Sequence, residues 1–165
     1  MQAVCLPKGK TSDYYQMQKQ GNETILYFPL EHALPAGHTL VLNTALGTLS
    51  YLSNGADRPK MEVQQQFTSS ELSVLHPLLE LFPHYCPYEV IFASFYNGSI
   101  TNETVEHCRQ RLYEALEAGT WDQQLRPIRN VLSRARLKLR SFNIDISSIL
   151  ETGYILMVTS KPKNQ

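Results

Sequence analysis

The 165-residue chain has no surplus of either charge and no long apolar run. Fifteen Lys and Arg balance fifteen Asp and Glu, which excludes a histone-like strategy of bulk cationic binding. No window approaches the roughly 18–20 consecutive apolar residues of a membrane-spanning helix. The opening "MQAVCLPKGKTSDYYQMQKQGNET" lacks the apolar core of a signal peptide. Cysteines are few: Cys5, Cys86 and Cys108 are irregularly spaced and imply no disulfide framework. These absences lead to the expectation of a cytosolic, cytoplasmic protein, in which the Asn-x-Ser/Thr matches at Asn22, Asn97 and Asn102 are chance. There is also no Gly-rich phosphate loop, no Gly-x-Ser-x-Gly elbow and no His-Glu-x-x-His. His84, Cys86, His107 and Cys108 are poorly spaced for zinc, since helix neighbours 107 and 108 point about 100° apart. Glu103 with Glu106, and Glu114 with Glu117, read as solvated helix faces. Neither an enzyme nor a metal or other cofactor is expected.

Charged residues make up only 18% of the chain, against roughly a quarter in globular proteins, so a dense run of one sign stands out. A hydrophobic fraction of 42%, with nine Tyr, six Phe and one Trp, supplies a core for a single domain. Residues 1–22 are polar and aperiodic and read as a tail, as do residues 160–165. Between 24 and 67 lie four short, partly alternating segments, "TILYFPL", "HTLVLNT", "GTLSYLS" and "KMEVQQQF", with turn signals such as Asn54-Gly55 between them. They predict a small antiparallel sheet, with Pro29 confining the first segment to an edge.

At Thr68 the period changes from two to about 3.6. "TSSE" forms a capping box, and Leu72, Leu75, Leu78, Leu79 and Phe82 line one helix face, which Pro77 is expected to kink or split. A short helix follows in "PYEVIFASFYNG", with Pro87 in its first turn and Gly98 as its stop. A third, at about 102–118, is capped by Thr101 or Asn102, has Val105, Cys108, Leu112, Ala115 and Leu116 as its stripe, and closes at Gly119. Trp121 is expected as a core anchor at a helix junction, and Tyr85, Tyr88, Tyr96 and Tyr113 as packing residues between helices. The strands of "IDISSILETGYILMVT" end the domain.

Between them lies "RPIRNVLSRARLKLR", residues 126–140, with six cations and no acid. On a helical wheel Ile128, Val131, Leu132, Ala135 and Leu139 share an apolar sector, and Arg126, Arg129, Asn130, Ser133, Arg134 and Arg140 lie opposite. Arg136 and Lys138 flank the stripe. A solvated surface helix usually interleaves Glu with its Lys and Arg, and this one does not. Arg and Asn are the side chains that pair bidentately with guanine and adenine edges in a major groove, while Ser and the other cations suit phosphates.

Three motifs carry a resemblance to a known family. "FTSSELSVLHPLLELFP", "RPIRNVLSRARLKL" and the Gly-Tyr of "IDISSILETGYIL" resemble the first helix, recognition helix and wing of OmpR/PhoB-type response-regulator effector domains, over about residues 38–158. The resemblance implies an α+β winged helix-turn-helix with an N-terminal antiparallel sheet, three to four helices and a C-terminal β-hairpin wing. It would occupy residues 23–159, with the sheet at 24–67, helices at 68–140 and the wing at 144–158. It implies a DNA-binding transcriptional regulator of bacterial type. Arg129, Asn130, Ser133 and Arg134 take the groove-facing positions, so that Arg129, Asn130 and Arg134 would read bases. Arg126, Ser133, Arg136, Lys138 and Arg140 would meet phosphates or frame the helix, and Gly153 and Tyr154 would shape the wing. Leu150 and Glu151 stand where the family has an Arg-Gly pair, so a weakened wing is expected. The residues ahead of it supply no acidic pocket with a phosphorylatable Asp, so regulation by phosphorelay is not expected. Residues 99–125 exceed the family's loop and form a candidate surface for RNA polymerase or another protein. Double-stranded DNA is the expected partner, bound by a dimer or tandem pair, and no membrane is involved. The alternative is a winged helix used for protein–protein contact.

Overall fold

The computed structural model describes residues 24–55 and 57–159. The expected tails at 1–22 and 160–165, Cys5, and Ala56, which follows the Asn54-Gly55 turn signal, lie outside the described residues. Over the described residues the architecture is α+β: a four-stranded antiparallel sheet, four helices and a C-terminal hairpin. Strands β1 (Ile25–Phe28), β2 (Thr39–Asn43), β3 (Thr48–Asn54) and β4 (Pro59–Gln66) pair in sequence order, with β1 and β4 at the edges. Alternation makes the sheet one-sided. Leu26, Phe28, Leu40, Leu42 and Leu49 are buried, whereas Ile25, Tyr27 and Met61 are exposed. β1 stops one residue before Pro29, whose missing N–H cannot continue a ladder.

Helix α1 (Ser69–Leu81) begins with a complete capping box: Thr68 Oγ1 accepts from the Glu71 amide at 3.2 Å, and Glu71 Oε2 accepts from the Thr68 amide at 3.0 Å. Of the two outcomes expected at Pro77, a kink or a split, the split does not occur: α1 runs through it as one helix. A proline leaves the carbonyl four residues back without its helical donor, here that of Ser73, and the Ser94 hydroxyl donates to it at 2.5 Å. The defect is repaired by a neighbouring helix.

Strand β5 (Cys86–Pro87) leads into α2 (Tyr88–Phe92), which widens into a π turn over Ala93–Asn97 and stops at left-handed Gly98. α3 (Asn102–Ala118) is capped by Thr101 and closes at Gly119, with φ of 72°. Thr120 then separates it from α4 (Trp121–Leu139). The basic helix was expected to start at Arg126. It starts at Trp121 because Leu125 extends the buried stripe of Ile128, Leu132, Ala135 and Leu139 by one turn. Residues 121–125, expected to belong to the long segment 99–125 ahead of the basic helix, are thus its first turn.

A 3₁₀ turn (Arg140–Phe142) leads to the hairpin β6 (Ile144–Ile149) and β7 (Gly153–Val158). The two-residue β5, invisible to periodicity, adds to the far side of β7, giving the order β5-β7-β6. Gly153 permits that pairing: a Cβ there would sit 2.0 Å from the Cys86 carbonyl oxygen. Tyr88 stacks edge-on against both Trp121 (5.4 Å) and Tyr154 (5.6 Å), tying α2, the start of α4 and the hairpin into one aromatic cluster. Among the described residues no helix is long and apolar enough to cross a membrane.

Candidate nucleic-acid interface

α4 docks by its apolar stripe. Leu125, Ile128, Val131, Leu132, Ala135 and Leu139 are buried against α1, α3 and β6, and the opposite face is open to solvent. Arg126, Arg129, Asn130, Ser133, Arg134, Arg136 and Arg140 all lie exposed on that side, and Lys138 is half-buried at its margin.

The acids missing from the basic run arrive from elsewhere in the chain. Arg129 pairs with Asp122, one helical face upstream, at 3.1 Å. Partial burial lowers the Arg129 pKa, but hydrogen bonds to Asp122 and Tyr154 outweigh this and raise it. Arg136 forms a bidentate pair with Asp145 of β6 at 2.5 and 3.1 Å. The Arg136 hydrogen bond is the main reason that the Asp145 carboxyl titrates below its usual range. Lys138 donates to Glu71 Oε2 at 2.7 Å and to the Gln66 carbonyl at 2.9 Å, over the ring of Phe67. Arg134 lies 4.0 Å from the other Glu71 oxygen.

These contacts sort the cations. Lys138 fastens the end of α4 to the start of α1, and Arg136 fastens α4 to the hairpin. Arg129 ties the helix to the aromatic cluster, while Arg134 leans toward Glu71 with most of its side chain still in solvent. Arg126 and Arg140 have no acid within ion-pairing distance among the described residues, although Arg140 acts on Asp145 at longer range. Between them Leu137 is 59% exposed, an apolar side chain that wheel analysis passed over. At the hairpin tip Leu150 is 87% exposed and Glu151 adopts a left-handed φ of 57°.

Glu71 therefore has two duties: it caps α1 and it restrains two cations of α4. Glu71→Ala is expected to lower stability by about 1 kcal/mol or more through the lost cap. The same change frees Lys138 and Arg134, so retention on a heparin column should increase. Thermal melts with heparin elution check both, and unchanged elution would show that the two cations face the protein rather than solvent.

The segment ahead of α4 is anchored as well. Arg109 of α3 pairs with Glu89 of α2 at 3.3 Å and also with Glu106. Glu89 is fully buried. Burial raises its pKa although Arg109 opposes the rise. Glu89 Oε2 and Arg109 Nε find no hydrogen-bond partner among the described residues. α3 turns Glu103, Glu106, Glu114 and Glu117 to solvent, an acidic face beside a basic one. Cys86 and Cys108 are buried free thiols with pKa values pushed up by burial, and no group of metal-ligating side chains forms among the described residues. Neither protein-family models, nor curated proteins, nor solved structures match this chain.

Proposed function

We propose that this protein is a winged-helix, sequence-specific DNA-binding transcriptional regulator that presents α4 to the major groove. One observation carries this: α4 docks on the core by its buried stripe, while its outer face bears cations and an amide and no acid downstream of Asp122. A duplex major groove admits one α-helix, and the β6–β7 hairpin, which follows α4 after one 3₁₀ turn, would act as a wing. The acidic face of α3 repels phosphates, which orients the duplex along α4 and away from α3. An apolar, acid-bearing tip at Leu150 and Glu151 makes that wing a weak phosphate binder.

A second reading has its own support. The acidic α3 face and the exposed Leu150 suit a basic or apolar protein surface, and α3 lies within the 99–125 segment where RNA polymerase or another protein would bind.

Titration of fluorescent duplex DNA at several salt concentrations tests the first reading. Affinity should fall steeply with salt, since each neutralised phosphate contributes about 0.9 to the log–log slope. Affinity indifferent to salt, or no retention on DNA together with capture of a stable protein partner, would favour the second.

A further inference from the structure

The outermost ridge of α4, continued by Arg140, which keeps helical backbone angles at the C-cap, has an order that the basic composition hides. Arg126, Asn130, Ser133, Leu137 and Arg140 are spaced by four, three, four and three residues, which keeps them within roughly 80° of one another on a helix of 3.6 residues per turn. All five are exposed. The four ion-paired cations lie to either side: Arg129 and Arg136 toward the hairpin contacts, Arg134 and Lys138 toward Glu71. The ridge thus reads cation, amide, hydroxyl, aliphatic, cation, over about 21 Å at 1.5 Å per residue.

A straight helix in a curved groove is deepest at its middle and lifts toward the backbone at its ends. Long cations at both ends and short side chains between them match that profile. We infer that Asn130 and Leu137 are the base-reading residues, recognising an adenine and a thymine about three base pairs apart, and that Arg126 and Arg140 clamp flanking phosphates. Asn makes a bidentate pair with the adenine N6 and N7, and an apolar side chain packs on the thymine 5-methyl. The two residues are seven positions apart, about 10.5 Å along the helix, which is close to three base-pair steps of 3.4 Å. This departs from the family-derived assignment, in which Arg129 and Arg134 share base reading. Here Arg129 is occupied by Asp122 and Tyr154, and Arg134 points off the ridge.

The assignment rests on the DNA-binding reading above, and one experiment separates the two. Bound sequences are selected from a random duplex pool with the full chain and with its Asn130→Ala and Leu137→Ala variants, both at exposed positions where folding is not at stake. The best wild-type sequence is then remade with deoxyuridine in place of the selected thymine, which removes only the methyl group. The unchanged protein should enrich an adenine and a thymine at that spacing. Asn130→Ala should lose the adenine preference, about tenfold for one bidentate pair. Deoxyuridine should weaken wild-type binding several-fold and leave Leu137→Ala binding unaffected. A motif retained by both variants, or lost only with Arg129→Ala and Arg134→Ala, overturns the assignment and leaves DNA binding standing. Retention on DNA with no enriched sequence does the same. A protein that DNA does not retain overturns both.

Discussion

Arg109→Met is expected to lower the unfolding free energy by about 3–5 kcal/mol at neutral pH, the cost of stripping the partner from a buried charge. The mechanism is local. Glu89 is fully buried at the start of α2, and Arg109 is its charged partner in α3. Because burial holds the folded-state pKa of Glu89 above the ordinary 4.5, the folded protein keeps a proton that the unfolded chain has released. Between 4.5 and the raised value, stability therefore declines as pH rises. Removing Arg109 deletes the Coulombic attraction and hydrogen bond that pull the Glu89 pKa down, so this window extends to higher pH. The penalty of Arg109→Met should be largest near pH 7 and should shrink as pH falls toward 4.5. Denaturant midpoints at two pH values, with Glu89→Gln added to Arg109→Met, measure it. Glu89→Gln should restore much of the loss, since no buried charge remains. An equal penalty at both pH values would mean that Arg109 acts through packing of its stem and not through charge.

The second large effect concerns binding. Arg126→Ala combined with Arg140→Ala should reduce the salt slope by about 1.8 and weaken DNA binding on the order of 60-fold at 0.1 M salt, taking about 0.9 per phosphate. Arg129→Ala with Arg136→Ala removes the same formal charge but takes it from side chains already paired with Asp122 and Asp145. Its effect on the slope should be smaller, and the loss of Arg136 should appear instead as a looser β6–β7 hairpin. Titrations of the two double variants across a salt series decide the matter. Equal flattening by both would show that the intramolecular pairs open on binding and that the sorting of cations by ion pairing has no functional meaning.

Much of the local structure is legible in the residues themselves. The capping box at Thr68 and Glu71, the glycine stops at Gly98 and Gly119, and the alternation that buries Leu40, Leu42 and Leu49 all depend on neighbours within about four residues. The buried stripe of α4 is equally plain, because a 3.6-residue period is a property of one helix. Its true start was harder to see: Pro127 looks like a first-turn residue, and Leu125 declares itself only once the stripe is known to be buried.

What the chain alone could not reveal is every feature made by residues far apart. β5 exists because Cys86 meets Tyr154, and Gly153 allows that approach. α1 survives Pro77 because Ser94 supplies the missing donor. Above all, "RPIRNVLSRARLKLR" looks free of acids in sequence, yet Glu71 and Asp145 reach it in space, and Asp122 reaches it from one turn beyond its apparent start. Helix capping, alternation and amphipathic period are short-range and are written into consecutive residues. Charge neutralisation depends on distance in space, so only the tertiary structure could separate the cations that hold α4 in place from the Arg126–Arg140 ridge left facing solvent.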